Sequence, residues 1–377
     1  MTRAPEYGRA VALVDGGAVE RNCETLVDLL AEGSELCAVV KADGYGHGAA
    51  VCAAAAMRGG ATRLAVAAAL EAQELRLHFP EASILVMGAL TGEELRVALR
   101  ANADVAVWRE SFRALCSRVG AETGAPVRVH VKHDSGMGRL GERDPDAVVD
   151  LARACSEDPA VELAGIWTHF ATADEDDDTF MPIQLDAFRH VAERVRELAP
   201  GVTVHAANSA ATIRDPATHF DMVRCGIAVY GLDPFQADPA ANGLEPALEL
   251  RSYVADVKRF EPGSSAGYGR TWIAPEATWV GVLPIGYGDG VRRALSDNAE
   301  VLVRGRRYPL VGTVSMDNVT IDLGPETEVE PGDEVVLIGA QGGERISAED
   351  LAGRIDTINY EITTGIAPRV PRVAHRP

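Results

Sequence analysis

The chain has 377 residues, 47% of them hydrophobic and 24% charged, which is typical of a globular protein large enough for two domains or for one barrel with an addition. Its net charge of -20 and its isoelectric point of about 4.9 argue against binding to nucleic acid or to an anionic membrane surface, because both require a basic face. No apolar run reaches the ~18 residues of a membrane span, and residues 1–10 have no hydrophobic signal core, so the cytoplasm is the expected location.

From residue 36 to about residue 230, short Val, Ile and Leu runs alternate with longer stretches rich in Ala, Glu and Arg. The eight candidate strands are Leu36–Val40, Leu64–Ala68, Ile84–Met87, Val105–Val107, Val127–Val131, Leu163–Trp167, Val202–His205 and Met222–Arg224. Helical patterns between them include Glu93–Ala101, Ser111–Val119, Asp146–Cys155 and Leu185–Leu198. Strict alternation of eight strands with helices predicts a (β/α)8 TIM-type barrel. An earlier candidate strand, Arg9–Val14, is a candidate to pair with a more distant domain.

Lys41, which follows the first barrel strand, is the first candidate for chemistry. Only three of the 36 basic residues are lysine, namely Lys41, Lys132 and Lys258. Unlike arginine, a lysine can lose its proton near neutral pH and attack a carbonyl, as in a Schiff base with pyridoxal phosphate. Two other interpretations compete: a solvated lysine beside a flexible loop, and a dinucleotide fingerprint at residues 44–49. The fingerprint is disfavoured because no acidic residue ends the next strand.

Polar and glycine motifs follow the ends of several later strands. They are residues 132–139, Thr168-His169, Asn208-Ser209 and residues 224–226. Because the carboxyl ends of barrel strands meet at one mouth, we expect these motifs to converge with Lys41 on one site. Ser209 and Gly226-Ile227 follow strands seven and eight, the usual phosphate-binding position of such barrels. The sequence therefore predicts a site suited to a phosphorylated cofactor.

From about residue 241, alternating and β-branched segments replace the helical stretches and predict a second, β-rich domain. The segments are Ala247–Phe260, Thr278–Ile285, Glu300–Asp322 with a turn at Gly305, and Asp333–Ile338. One late helix is predicted from Ser347, with a capping signal from Asp350, to about Asp356. Two motifs, at residues 267–270 and 315–318, are unusually polar for their apolar neighbours, and for each alone a hairpin turn is the favoured interpretation.

No metal is expected in this chain. The six cysteines are scattered without metal-ligand spacing and mostly lie in apolar segments, so we interpret them as reduced core thiols. The acidic run at residues 174–178 has no organising glycine and is interpreted as a solvated loop.

Taken in order, the motifs resemble those of the alanine racemase family, a fold-type III group of pyridoxal-phosphate enzymes, over nearly the whole chain. The matching segments are VKADGYGHG at 40–48, KHDSGMGRLG at 132–141, WTHFATAD at 167–174, HAANSA at 205–210, VRCGI at 223–227, YGL at 230–232, GYG at 267–269, GYGDG at 286–290, SMD at 315–317, NYEI at 359–362 and RVPR at 369–372. The resemblance implies a cofactor-binding barrel at 15–240 and a β-rich domain at 241–377 that includes strand 8–14 and contributes to the partner's active site.

The resemblance also implies a function, namely the interconversion of L-alanine and D-alanine to supply the bacterial cell wall. Two bases would act on opposite faces of the substrate. Lys41 would hold pyridoxal phosphate covalently and serve one face, and Tyr268 would serve the other. The family is a homodimer with shared active sites, in which Tyr268 and Met316 enter the partner's barrel mouth.

Further roles follow from the resemblance, position by position. Arg224 would face the pyridine nitrogen and be oriented by His169. Arg139 would reach the cofactor's phenolic oxygen and the substrate carboxylate, held by Lys132, which is carbamylated in relatives. The phosphate ligands would be Tyr45, Ser209, Gly226, Ile227 and Tyr360. Tyr360 and Met316 would crowd the substrate side chain, and the supporting or entrance positions would be Asp174, Tyr287, Arg293 and Asp317.

Three positions depart from the family pattern. Thr313 replaces a common arginine near the entrance, Ala266 a common serine, and Gly288 a common alanine, which leaves substrate preference open. A racemase of serine or of broader specificity is therefore one alternative. Two others are a non-catalytic cofactor-holding protein, which would lack Tyr268, and a decarboxylase of basic amino acids, which would place an acid where Arg224 stands.

Overall fold

The barrel predicted from the sequence is present in the computed structural model, which describes residues 8–375. Eight parallel strands close on themselves, with the first paired to the last between Leu36 and Val223. The barrel strands are Glu35–Val39, Arg63–Val66, Ser83–Val86, Ala103–Val107, Val127–Lys132, Val161–Trp167, Thr203–His205 and Met222–Cys225. Most of their residues are buried, as expected for parallel strands that are covered by helices.

The helices around the barrel connect successive strands and bury one apolar face each. They are Gly16–Asp28, Ala49–Arg58, Ala69–His78, Gly92–Arg100, Glu110–Thr123, Pro145–Glu157, Met181–Leu198 and Ser209–Arg214. Their ends follow ordinary capping chemistry: Asp15 and Thr91, for example, accept hydrogen bonds from backbone N–H groups of the helices that follow them. No helix among residues 8–375 combines the length and the apolar character that a membrane crossing requires.

The second region is built from β-strands, as the sequence predicted. The strands outside the barrel are Ala10–Asp15, Leu248–Tyr253, Asp256–Phe260, Ser265–Ala266, Trp272–Ile273, Thr278–Leu283, Glu300–Val303, Arg306–Pro309, Val319–Gly324, Glu334–Gln341, Glu344–Ile346 and Arg372–His375. The strand Ala10–Asp15 pairs antiparallel with Leu248–Tyr253 and parallel with Arg372–His375. The first strand of the chain therefore belongs to the sheet of the later region. The bounds 15–240 and 241–377 stay predictions, and residues 376 and 377 lie outside the described residues.

Two details differ from the predicted elements. The segment predicted as β between 300 and 322 contains a loop at 310–318, because Gly312 and the polar residues around Met316 leave the sheet. The late helix ends at Gly353 rather than near Asp356, although its predicted cap is present. The Ser347 hydroxyl accepts from the Asp350 N–H at 3.0 Å, and the Asp350 carboxylate accepts from the Ser347 N–H at 2.8 Å. A further helix, Asn359–Thr364, packs against the loop after Lys41.

The prediction of core thiols is confirmed, since all six cysteines are buried and free. Burial raises the pKa of these thiols, for example that of Cys37 to about 12, so they are protonated at neutral pH. Within the described part of the chain, no three His, Cys, Asp or Glu side chains cluster so that they could hold a metal ion.

Candidate active site

A cavity of about 470 Å³ opens at the carboxyl ends of the barrel strands. Its size lies within the range of small-molecule and cofactor sites. Most of the barrel residues predicted for the site line this one cavity. They are Lys41, Tyr45, Lys132, Arg139, His169, Ser209, Arg224 and Gly226, joined by Tyr360 from the helix Asn359–Thr364. Ile227 is buried and follows Gly226 at the start of a short 3-10 turn, next to this lining.

The backbone after Lys41 forms a left-handed turn. Ala42, Asp43 and Tyr45 have φ angles of 51°, 52° and 53°, and Gly44 between them has 61°. A left-handed conformation costs roughly 1–2 kcal/mol for each residue that carries a Cβ. Such a run persists only where surrounding groups hold it. The turn ends the strand abruptly and leaves Lys41 at the cavity wall.

The contacts that hold this turn come from both regions of the molecule. The Glu71 carboxylate accepts from the Ala42 N–H at 2.6 Å, and also from the N–H groups of residues 67 and 68. From the β-rich region, Arg372 donates to the carbonyl of Gly46 at 3.0 Å. A Cβ at Gly46 would overlap the carbonyl oxygen of Thr363, so a glycine is required for this close approach. The loop that presents Lys41 is thus clamped between the barrel and the second region.

Positive charge dominates the cavity, although the chain as a whole is strongly acidic. Four basic side chains line it, namely Lys41, Lys132, Arg139 and Arg224, and no carboxylate does among the described residues. Burial lowers the pKa of Lys41, and the charge of Arg139 lowers it further. Burial, with Arg224 and Arg139, lowers the pKa of Lys132 to about 7. The cavity therefore favours an anionic ligand, and its two amines lose their protons more readily than exposed lysines do.

Arg224 is held almost completely out of water. Its Nη1 donates to Nδ1 of His205 at 2.9 Å, and its Nη2 donates to the carbonyls of Thr168 and Ala206 at 2.9 and 3.0 Å. Nη2 also lies 3.3 Å from Nδ1 of His169. Burial lowers the pKa of Arg224 to about 10, so the guanidinium remains charged at neutral pH. Among the described residues no acceptor is found for Nε, which leaves this N–H for the cavity.

The other end of the cavity is lined by neutral hydrogen-bonding groups. The rings of Tyr45 and Tyr360 lie 6.0 Å apart, and burial raises the pKa of both phenols above their usual range. The Ser209 hydroxyl lies 3.0 Å from the N–H of Gly226, from which it accepts. A Cβ at Gly226 would overlap the Tyr45 hydroxyl. Phenol, hydroxyl and backbone N–H groups are donors that suit a phosphate.

The remaining predicted residues lie outside this cavity. Tyr268, in the turn of the hairpin formed by Ser265–Ala266 and Trp272–Ile273, and Met316 are 74% and 53% exposed. Tyr287 is also exposed, and its N–H donates to the carbonyl preceding Met316. The other three positions are Asp174 and Arg293, which are exposed, and Asp317, whose carboxylate lies 2.9 Å from Arg369. One chain therefore brings together the barrel residues but not those of the hairpin and the 310–318 loop.

Two residues that line or support the cavity have no role in the sequence prediction. The Trp167 ring lies under Nζ of Lys132 at 4.1 Å and under the guanidinium of Arg224 at 4.8 Å. It is part of the recognised motif at 167–174, which was its only signal. Glu71 is the N3 residue of the helix Ala69–His78, where an acidic residue looks like an ordinary cap. Its contact with the turn after Lys41 depends on the tertiary fold.

Comparison with known proteins shows the family to which this chain belongs. The family model "Alanine racemase, N-terminal domain" matches residues 14–234, and "Alanine racemase, C-terminal domain" matches residues 247–374. The chain belongs to the alanine racemase family. The alanine racemase of Symbiobacterium thermophilum is 43% identical over 364 residues, which cover 96% of both chains. That of Desulfosudis oleivorans is 40% identical, with 97% of this chain and 96% of the relative covered.

Solved structures show the same relationship at the level of the fold. The crystal structure of alanine racemase from Streptomyces lavendulae matches with a TM-score of 0.93 and 38% identity, covering 98% of this chain and 97% of that one. The family resemblance recognised in the motifs is thereby confirmed, together with the pairing of a barrel and a β-rich region. Both halves of the alanine racemase fold are present in this chain.

Proposed function

We propose that this protein is a pyridoxal-phosphate-dependent racemase that interconverts L-alanine and D-alanine and so supplies D-alanine for the bacterial cell wall. The observation that carries the proposal is the half-buried amine of Lys41 at a cationic cavity, in a chain of the alanine racemase family. An amine of lowered pKa is the group that both binds an aldehyde and accepts a proton.

The residues of the cavity fit pyridoxal phosphate. Lys41 would hold the aldehyde carbon. The phosphate would be held by Tyr45, Ser209, Gly226, Ile227 and Tyr360. When bound, the cofactor withdraws electrons from the substrate carbon that exchanges its proton. Arg224 would donate a hydrogen bond from Nε to the pyridine nitrogen. Because its guanidinium keeps its proton, Arg224 would leave the ring nitrogen unprotonated, which would disfavour decarboxylation and transamination.

Two bases would exchange the proton on opposite faces of the substrate. Lys41 would serve one face, because burial and the charge of Arg139 lower the pKa of its amine and so favour the neutral base. Tyr268 would serve the other face, donated by the partner subunit. We infer a homodimer in which residues 241–377, with strand 8–14, carry Tyr268 and Met316 to the mouth of the partner's barrel. The exposure of both side chains in the single chain supports this assignment.

Lys132 would act through Arg139. With a pKa of about 7, much of the Lys132 amine is neutral at physiological pH and can form a carbamate with carbon dioxide, releasing one proton. The new anion would lie among the basic groups of the cavity and bind Arg139. Arg139, so held, would reach the substrate carboxylate and the phenolic oxygen of the cofactor. His169 would support Arg224 as a neutral hydrogen-bond acceptor, because burial and Arg224 lower its pKa well below the usual range.

Alanine is the substrate that this arrangement supports best, since Tyr360 and the partner's Met316 would leave room for a methyl group. Asp174, Tyr287, Arg293 and Asp317 would support or line the entrance. Serine differs from alanine by one oxygen, and such a difference is discriminated by only a few kcal/mol. A serine or broader racemase is therefore the second candidate, favoured by the changes at Thr313 and Gly288. A cofactor-holding protein without turnover would have no use for Tyr268.

One experiment tests the centre of the proposal. The purified protein is reduced with borohydride, the cofactor adduct is mapped by mass spectrometry, and racemisation of L-alanine is compared with that of L-serine and L-lysine. We expect the adduct on Lys41 and the fastest turnover with alanine. Lys41→Ala should lose about 10² to 10⁴-fold in activity, whereas Lys258→Ala, at an exposed lysine paired with Asp256, should behave as wild type. An adduct on Lys132 or Lys258 would contradict the mechanism.

A further inference from the structure

A chain of buried polar side chains crosses the interior of the barrel from Arg224 to Asp104. Nη1 of Arg224 donates to Nδ1 of His205 at 2.9 Å, and Nε2 of His205 lies 2.8 Å from Nδ1 of His130. Nε2 of His130 lies 3.2 Å from Oδ2 of Asp104. All four side chains are buried. Barrel interiors are filled mainly by branched apolar residues, so this chain is an exception that its hydrogen bonds must stabilise.

The two ends of the chain fix the direction of every hydrogen bond in it. A guanidinium only donates, so Nδ1 of His205 must be an acceptor and its proton must lie on Nε2. The gap between His205 and His130 holds one proton, because two N–H groups cannot face each other at 2.8 Å. Nδ1 of His130 is therefore the acceptor, and its proton lies on Nε2. That proton is donated to Asp104, whose ionised carboxylate only accepts.

The charges at the two ends agree with this direction. Burial raises the pKa of Asp104, but the hydrogen bond from His130 and the charge of Arg128 outweigh it, so the pKa lies below the usual range. Burial, with the charge of Arg224, lowers the pKa of His205 well below its usual value, which keeps the imidazole neutral. One anion thus lies at the amino end of the barrel, and one cation lies at the mouth. A buried charge is costly unless it is paired or hydrogen-bonded, and the chain supplies the connection.

We propose that Asp104 is a positioning residue for Arg224, acting through His130 and His205. By accepting from His130, it selects the imidazole tautomers that present an acceptor to Nη1 of Arg224. The contacts of Nη1 and Nη2 hold the guanidinium in one orientation, in which Nε has no acceptor among the described residues. The effect on catalysis rests on the proposed function, whereas the proton arrangement does not.

The proton arrangement can be measured directly in the full-length protein as purified. Nitrogen NMR of protein labelled with 15N-histidine distinguishes the tautomers, with His130→Gln and His205→Gln used to assign the signals. We expect both histidines to be neutral, with the proton on Nε2 and a bare Nδ1. A His205 that is protonated, or that carries its proton on Nδ1, overturns the proposal whatever the activity of the protein.

Asp104→Asn tests the consequence for the site, because it keeps the shape of the side chain and removes its charge. The amide can donate as well as accept, so we expect His130 to populate both tautomers. The turnover number for alanine should fall about tenfold, the typical effect of losing an outer-shell partner, with little change in KM. Arg128→Gln is the matched control, since it removes the closer of the two arginine ion pairs on Asp104 but not the hydrogen bond from His130. It should keep wild-type tautomers and turnover.

Two results would overturn the proposal: Asp104→Asn with unchanged tautomers and turnover, or Arg128→Gln with the same loss as Asp104→Asn. The second would mean that the ion pair at the amino end of the barrel, rather than the histidine chain, carries the effect. A wild-type protein that does not racemise alanine would contradict the proposed function alone, since the tautomers would still test the role of Asp104.

Discussion

The barrel mouth and the surface that carries Tyr268 have opposite characters. At the mouth, Lys132, Ser209 and Arg224 are 2%, 3% and 3% exposed. Burial and neighbouring charges lower the pKa of Lys132, and burial lowers the pKa of Arg224. On the other surface, Tyr268 and Met316 are 74% and 53% exposed. Large apolar and aromatic side chains grouped on a polar surface mark an interaction site. The side chains of the mouth are thus packed within one chain, whereas Tyr268 and Met316 on the second surface are exposed in it.

Arg224 at the mouth and Tyr268 on the second surface also differ in the hydrogen bonds that hold them. Arg224 is fixed by three side-chain and backbone acceptors inside the barrel. Tyr268 is fixed mainly through its backbone, whose carbonyl accepts from the Thr313 hydroxyl at 2.8 Å. The backbone of Tyr268 is therefore fixed while its ring stays exposed, which leaves the ring free to contact another surface. In the proposed dimer, that surface is the mouth of the partner's barrel.

Hybrid dimers give the strongest test of this comparison. Lys41→Ala removes the base at the mouth, and Tyr268→Phe removes the base on the other surface, each with an expected loss of about 10² to 10⁴-fold. If each site combines the two surfaces of different subunits, a mixed dimer of the two variants contains one native site and one doubly altered site. Random pairing after co-expression should therefore restore about a quarter of the wild-type activity.

The controls for the hybrid are the two variants refolded or expressed alone and then mixed without subunit exchange, which should remain inactive. Tyr308→Phe, at a half-buried tyrosine of the strand Arg306–Pro309, should keep wild-type activity. If co-expressed Lys41→Ala and Tyr268→Phe chains stay inactive, the two bases do not come from different subunits, and the second surface has another purpose.

The sequence predicted the barrel well because its signals are local. Each barrel strand is a short apolar run, and several are followed by a polar or glycine motif, so the convergence of Lys41, Lys132 and Arg224 follows from topology alone. The left-handed turn was harder to predict, since Ala42 and Asp43 have φ angles above 50° although neither is a glycine. They adopt that conformation because Glu71 and Arg372, which are distant in sequence, hold the backbone.

The series of hydrogen-bonded side chains from Arg224 to Asp104 also could not be predicted from a local sequence pattern. Asp104, His130 and His205 lie on three different strands, and their contact depends on barrel register and on inward-facing side chains. No sequence motif pointed to a role for Asp104 or His130 in the site. The polar residues of a barrel interior can be recognised by alternation within a strand, but their partners across the interior cannot.

Gly46→Ala tests how the barrel mouth is held together. Gly46 lies in the loop after Lys41, and this loop packs against the helix Asn359–Thr364. The new Cβ would overlap the Thr363 carbonyl, and φ at this position is 85°. Gly33→Ala is the matched control, since φ is 84° there and nothing lies near its Cβ. We expect Gly33→Ala to cost roughly 1–2 kcal/mol of stability and Gly46→Ala to cost about 2 kcal/mol more.

Denaturant midpoints and retention of the cofactor after dialysis measure the two effects. Gly46→Ala should bind the cofactor more weakly as well as unfold earlier, because the overlap displaces the turn that carries Lys41 and Tyr45. Equal losses of stability in both variants would show that the backbone conformation alone matters and that the helix does not clamp the loop.

The smallest expected effect is the change that the buried amine of Lys132 at the mouth makes to the pH dependence of stability. Lys132 has a pKa of about 7 in the folded protein, whereas an unfolded lysine has its ordinary pKa of about 10.4. Between these values the unfolded chain binds the additional proton, so the free energy of unfolding rises with pH from about 7 to about 10. Below pH 7 both states are protonated, and the slope from this residue vanishes.

Lys132→Met should therefore reduce the slope of stability against pH by roughly 1 kcal/mol per pH unit in that window. The measurement uses chemical denaturation between pH 7 and pH 10 in buffer free of carbon dioxide, because a carbamate would remove the titrating amine. Lys258→Met, at a lysine that is exposed and 3.0 Å from Asp256, should keep the wild-type slope. If the Lys132 and Lys258 variants have the same slope, the Lys132 amine is not depressed by its neighbours, and its reactivity toward carbon dioxide at neutral pH loses its physical basis.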